Sequence, residues 1–151
     1  FYLESSVCKK ILESAKAKDP HLAEWKRKIR ERIKSDRTLV TALGRKRTFL
    51  GRLNDNTYRA AYAFSPQSTV GELLQLALQD IYEKYSDWIE VLLNVHDEVI
   101  CQVDDEPETI DAAIRAIRSS MEIPINVGGK QLVIPCEFKV GPSWGELREV
   151  K

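Results

Sequence analysis

Long apolar runs are missing from this chain. None approaches the roughly 18 residues that a membrane-crossing helix requires, so no membrane partner is expected. The first residues, FYLESSVCKK, lack the basic segment followed by an apolar one that marks a secretory leader. Cysteine is scarce and poorly arranged for cross-linking. Cys8, Cys101 and Cys136 are odd in number, far apart, and form neither a CxxC pair nor a cluster with histidine, which argues against both a disulfide framework and a zinc site. Histidine is confined to His21 and His96. Internal repeats, low-complexity tracts and linkers are absent as well. What remains is a chain of 151 residues, long enough to bury about 70% of the surface its unfolded form exposes. A reducing, cytoplasmic setting is the expectation.

Net charge is also missing, but only in the sum. Residues 1–60 carry 16 Lys/Arg against 7 Asp/Glu, a net of +9, whereas residues 61–151 carry 7 against 16, a net of −9. A basic half suits a polyanion such as nucleic acid, because each phosphate neutralised by Lys or Arg releases counterions. The competing readings are two halves of opposite sign that attract each other, or a solvated helix face in WKRKIRERIKSDR. The expected organisation is a basic helical and loop segment over 1–60 and an α+β unit over 61–151.

Richness in Glu, Lys, Ala and Leu predicts a helix over 4–18, ended by Asp19 and Pro20, and hydrophobic spacing predicts a second over about 21–35. In the second, Leu22, Trp25, Ile29 and Ile33 recur every three or four residues among basic neighbours. Residues 38–57 read as short extended segments and loops. A helix starting near Asn56 is expected to stop at Pro66, and Ser68 to cap a new one whose stripe is Val70, Leu73, Leu74, Ala77, Leu78 and Ile81. Val91–Val95 and Val99–Val103 read as strands, residues 106–121 as an amphipathic helix opened by Pro107, and Gly128-Gly129 as the turn of a hairpin. The C-terminal GPSWGELREV reads as a tail packed by Trp144. Together these predict an α+β fold: an antiparallel sheet from the 91–103 hairpin and the 123–140 strands, covered on one face by helices at 68–85 and 106–121, with extra N-terminal helices.

Within LLNVHDEVICQV, three ionisable residues, His96, Asp97 and Glu98, stand where a hairpin turn favours Gly or Asn. Such a bend would lift the Asp97 carboxylate to the tip of a rigid support, a placement that suits a hard divalent cation. An ordinary polar turn is the bland alternative.

The neighbouring residues carry a resemblance. LLNVHDEV resembles the C motif of family A DNA polymerases, the group of bacterial DNA polymerase I and its phage relatives. RAAYAFSPQSTVGELLQLAL is similar to the helices of that family that bear an Arg and, eight residues later, a Gln, here Arg59 and Gln67. TALGRKR is similar to the family's Thr-x-x-Gly-Arg-x-Arg segment, and KVGPSWGEL to its closing Val-Gly-x-x-Trp. The four landmarks lie in family order over residues 41–147, about 70% of the chain. The resemblance implies a C-terminal palm region in which Asp97 is one of two carboxylates binding catalytic Mg²⁺, Glu98 lies beside the metal and His96 near the primer terminus. It implies further that Arg59 and Gln67 contact the template-primer DNA, that Arg45 and Arg47 touch its sugar-phosphate backbone, and that a dNTP is the co-substrate. The host is then a bacterial or phage-infected cell.

Three features depart from the family pattern. Ala63 occupies the place of an Asn four residues after the Arg, and SPQST replaces the more usual Gln-Gly step, as in phage-like members. The A motif (Asp-Tyr-Ser-x-x-Glu type), source of the second metal-binding Asp, is absent. So is the B motif (Lys-x-x-x-Tyr/Phe-Gly), whose helix grips the nucleotide. The isolated chain is therefore expected to be inactive, a fragment of a polymerase or one half of a split enzyme whose N-terminal fragment is another chain. Two alternatives are a non-catalytic DNA-binding module and a stand-alone metal-dependent phosphoesterase.

Overall fold

The computed structural model describes residues 4–150, the side chains of residues 15–17 excepted. Helix α1 spans Ser5–Lys18. Asp19 then serves the next helix: its carboxylate accepts the Leu22 N–H at 3.0 Å, and Pro20 takes the first helical position, where its missing N–H has no partner to lose. Helix α2, Pro20–Asp36, buries Ile29 and Ile33 and ends on Arg37 in the left-handed region at φ 58°. Arg37 is held there by its N–H on the Ile33 carbonyl and its guanidinium on the Gly51 carbonyl at 2.7 Å. Strands β1 (Thr38–Val40) and β2 (Lys46–Thr48) follow as an antiparallel hairpin.

The TALGR segment is the loop of that hairpin, and its residue types have a local cause. Thr41 is buried, and its hydroxyl accepts the Arg45 N–H at 3.0 Å while its carbonyl accepts the Gly44 N–H at 3.2 Å. Gly44 sits at φ 97°, a region that side chains avoid.

The chain divides into two compact units, residues 1–66 and 67–151. In the first, Ile29, Ile33, Leu39, Phe49, Ala61 and Phe64 form a core, with Trp25 and Tyr62 packed on it. The Phe49 and Phe64 rings meet edge to face at 6.5 Å. In the second, Ile81, Ile89, Ala113 and Ala116 form the core, and Tyr85, Val91, Cys101, Val103 and Ile117 pack around it. The predicted interruption at Pro66 does not occur: α3 runs unbroken over Asp55–Tyr85 with Pro66 inside it. A proline in a helix interior removes one backbone hydrogen bond and crowds the preceding turn, at a cost of about 3 kcal/mol. The apolar residues on either side outweigh that cost, Ala61 and Phe64 in one core and Ile81 in the other. Ser68 consequently caps nothing; its hydroxyl is buried without a hydrogen-bond partner. Asn54 is the residue that caps α3, accepting the Thr57 N–H at 2.9 Å.

The second unit continues with β3 (Glu90–Val95), β4 (Glu98–Gln102), α4 (Pro107–Met121), β5 (Ile125–Val127), β6 (Lys130–Leu132), β7 (Phe138–Val140), a single 3₁₀ turn at Trp144–Glu146 and β8 (Arg148–Val150). The fold class is α+β and every strand pairing is antiparallel, as the sequence predicts. The strands form separate two-stranded ribbons, however, and the 91–103 hairpin does not join the 123–140 strands in one sheet. The latter strands are three residues long, with Pro124 before β5 and Pro135 between β6 and β7, each lacking the N–H that a ladder needs. The tail pairs β7 with β8, and Trp144 is 61% exposed instead of packing it. Gly141 is required there: a Cβ would clash with the Glu146 carbonyl, coming within 2.8 Å of its carbon. Helices α3 and α4 are tied by Asp80, which accepts from the Ser120 hydroxyl at 2.7 Å and pairs with Lys84 at 2.7 Å. No helix among the described residues is long and apolar enough to cross a membrane.

Candidate functional site

The β3–β4 ribbon is anchored at its base and open at its tip. Val91 pairs with Cys101, and both side chains pack against the core of the second unit. The register then shifts between Val91 and Leu93, and the last pair is Val95 with Glu98, leaving His96 and Asp97 as a two-residue loop. Tight loops of this kind need positive φ, which is why they favour Gly or Asn. Here His96 supplies it, at φ 58°. For a residue with a Cβ that conformation costs roughly 1–2 kcal/mol, and strain of this kind concentrates at functional positions.

His96, Asp97 and Glu98 are all exposed. Among the described residues none of the three has a hydrogen-bond or ion-pair partner for its side chain, so the Asp97 carboxylate is available to a ligand. Asp97 and Glu98 also line a concavity of about 1350 Å³ in the second unit, whose other walls include Leu73 and Leu74 of α3 and Ile114 of α4. The lining is mostly apolar, and its charged members are Asp97, Glu98, Asp104, Asp105, Glu137 and Lys139.

The donor set does not amount to a magnesium site. Proteins hold Mg²⁺ with one or two carboxylates plus substrate phosphates. Asp97 brings one carboxylate, and among the described residues no group of three or more His, Cys, Asp or Glu could hold a metal ion. The exposed thiol Cys8 and the half-buried Cys101 and Cys136 form no disulfide. Burial pushes the Cys101 thiol up; for Cys136 burial does the same, with the Glu122 carboxylate adding to it.

The basic candidates lie on different supports. Arg45 closes the β1–β2 loop and is exposed, and Arg47 projects from β2 with its guanidinium 5.0 Å from the Phe49 ring centre. Arg59 and Gln67 are exposed residues of α3, one on each side of Pro66, and Ala63, in the place of the family's Asn, is half-buried between them. The sequence puts the six cations of α2 on a face turned to water or phosphate without distinguishing among them, yet one has a specific setting. Arg30 donates through Nε to the Tyr62 hydroxyl, and its guanidinium stands 4.8 Å from the Tyr58 ring centre and 5.9 Å from that of Tyr62. The i, i+4, i+8 spacing of Lys26, Arg30 and Lys34 is visible in the sequence; the contact with a helix 32 residues away is not.

Comparison with curated proteins gives no match. The family model described as DNA polymerase family A matches residues 2–146, nearly the whole chain, and the protein therefore belongs to the family A DNA polymerases.

Proposed function

We propose that this chain supplies the C-terminal palm part of a DNA-directed DNA polymerase, giving one metal-binding carboxylate and part of the template-primer grip for nucleotidyl transfer. Asp97 is the metal ligand, Glu98 lies beside the metal and His96 near the primer terminus, and Arg59, Gln67, Arg45 and Arg47 contact the template-primer. The observation that carries this reading is the exposed apex of the β3–β4 ribbon, where a histidine accepts a left-handed backbone and an adjacent aspartate is held without a partner. Enzymes of this family use Mg²⁺ and dNTPs. Because Asp97 stands alone, a second carboxylate has to come from outside this chain before Mg²⁺ is held. These residues alone are thus inactive, and the A and B motifs that complete the site come from the rest of a longer polypeptide or from a partner fragment, in the cytoplasm of a bacterial or phage-infected cell.

The experiment is complementation. Mixing the chain with a fragment bearing the A and B motifs restores Mg²⁺-dependent primer extension, and Asp97→Ala reduces it to background. Extension that survives Asp97→Ala sinks the assignment. The incomplete donor set favours a second reading, a DNA-binding module without catalysis. In that case the chain binds duplex DNA in a salt-dependent way, Mg²⁺ and Asp97 have no effect, and no fragment restores extension.

A further inference from the structure

We infer that Lys26, Arg30 and Lys34 form a strip on α2 that holds the phosphate backbone of a nucleic acid, extending the template-primer contact beyond Arg45, Arg47 and Arg59; the inference rests on the DNA-binding part of the reading above. Helix α2 carries six cations between residues 26 and 34, and they fall into two sets. Arg27 is matched by Glu24 at 2.6 Å and Glu31 at 2.5 Å, Lys28 by Glu24 at 3.8 Å, and Arg32 by Asp36 at 2.7 Å. Lys26, Arg30 and Lys34 have no carboxylate within 4.0 Å among the described residues, and all three are exposed. They recur every four residues, so they lie along one stripe with a rise of about 6 Å from each to the next.

Two of the three are also pre-positioned. Arg30 is fixed by its Nε bond to the Tyr62 hydroxyl and by the Tyr58 ring, and the Lys26 ammonium stands 5.6 Å from the Tyr62 ring centre. A ring attracts a cation without neutralising it. These contacts therefore order the side chains and leave their charge for a ligand, which reduces the entropy lost on binding. An anionic protein partner would need an apolar anchor as well. Ile29 and Ile33 of this helix are buried and Trp25 is half-buried, and its one exposed large apolar residue, Leu22, stands at the N-terminal end, outside the 26–34 strip. A phosphate chain needs only charge, and the first 66 residues carry 16 Lys/Arg against 7 Asp/Glu.

The test is the salt dependence of binding of the full chain to a fluorescein-labelled primer-template duplex, followed by anisotropy. Three phosphate contacts contribute about 2.7 to the slope of log affinity against log salt. The triple variant Lys26→Gln, Arg30→Gln, Lys34→Gln flattens the slope by roughly that amount and weakens binding at least tenfold at low salt. The matched variant Arg27→Gln, Lys28→Gln, Arg32→Gln removes the same net charge from the ion-paired set and flattens the slope by less than half as much. Arg30→Lys keeps the slope. Equal effects of the two triple variants, or none from the first, overturn the strip, as does a first variant that loses binding to polyglutamate while keeping binding to DNA. If Arg45→Ala and Arg59→Ala weaken binding while the strip variant does not, the strip alone fails. If the unaltered chain binds no duplex, the template-primer reading falls with it.

Discussion

The first unit carries a net charge of +9 and the second −9, because residues 61–66, which separate the division at Ala60 from the unit boundary, contain no Lys, Arg, Asp or Glu. The two units also use their cations differently. Among the described residues, the first pairs Arg27, Lys28 and Arg32 with carboxylates but sets Lys26, Arg30 and Arg47 over aromatic rings, where the charge survives. The second ties Lys84 to Asp80 and Arg118 to Glu122, although Arg118 also stands 4.8 Å from the Phe138 ring centre. Rings immobilise a cation and keep it attractive to an anion, whereas a carboxylate immobilises it and cancels it. The first unit is accordingly suited to hold a polyanion, and the second leaves its acids outward, Asp97 foremost.

Each unit has its own core, and this contrast can be broken by mutation. Ile33→Ala and Ile81→Ala each remove a side chain with no solvent exposure, and each is expected to cost about 2–5 kcal/mol. Hydrogen exchange should show the lost protection confined to residues 21–66 in the first variant and to 67–150 in the second. Loss spread evenly over the chain in both would show that the cores are not separate. A smaller effect is expected at Pro66. Alanine restores a donor for the Tyr62 carbonyl and raises stability by about 1–3 kcal/mol, read from thermal unfolding by circular dichroism; a lower melting temperature would show that the proline relieves a conflict inside α3.

The least of the three concerns the tie between α3 and α4. The Lys84 ammonium, and after it the Ser120 hydroxyl, hold the Asp80 carboxyl below the usual carboxylate range. A lowered value in the folded state means that Asp80 contributes stability above its unfolded pKa, and that this is lost as pH falls through the folded one. Asp80→Asn should therefore lower stability slightly at pH 7 and make the acid side of the stability curve less steep. An unchanged acid side would show that the pair is screened by water, as exposed pairs often are.

Much of this architecture could be read from residue spacing. Helix α4 follows from Pro107 at its start and the recurrence of Ile110, Ala113, Ile114 and Ile117; the β3–β4 ribbon follows from two aliphatic runs around a polar pair. The apex was legible for the same reason, since polar residues between two strands have few places to go. Elsewhere local rules were overridden by tertiary packing. Pro66 signals an end to a helix, yet apolar residues buried on both sides carry α3 through it. The β7–β8 pairing joins runs on either side of Pro142 and a 3₁₀ turn and depends on Gly141 letting two backbones approach, which no periodicity reports. The setting of Arg30 depends on rings in a distant helix, and spacing within α2 says only that the residue faces outward.

The bend at His96 bears on how the protein would respond to selection for stability alone. Glycine at that position would relax the backbone and yield a sturdier hairpin. A chain that keeps imidazole there forgoes an easily reached gain in robustness, so thermostabilised variants obtained by relaxing this corner should be the ones that trade away performance.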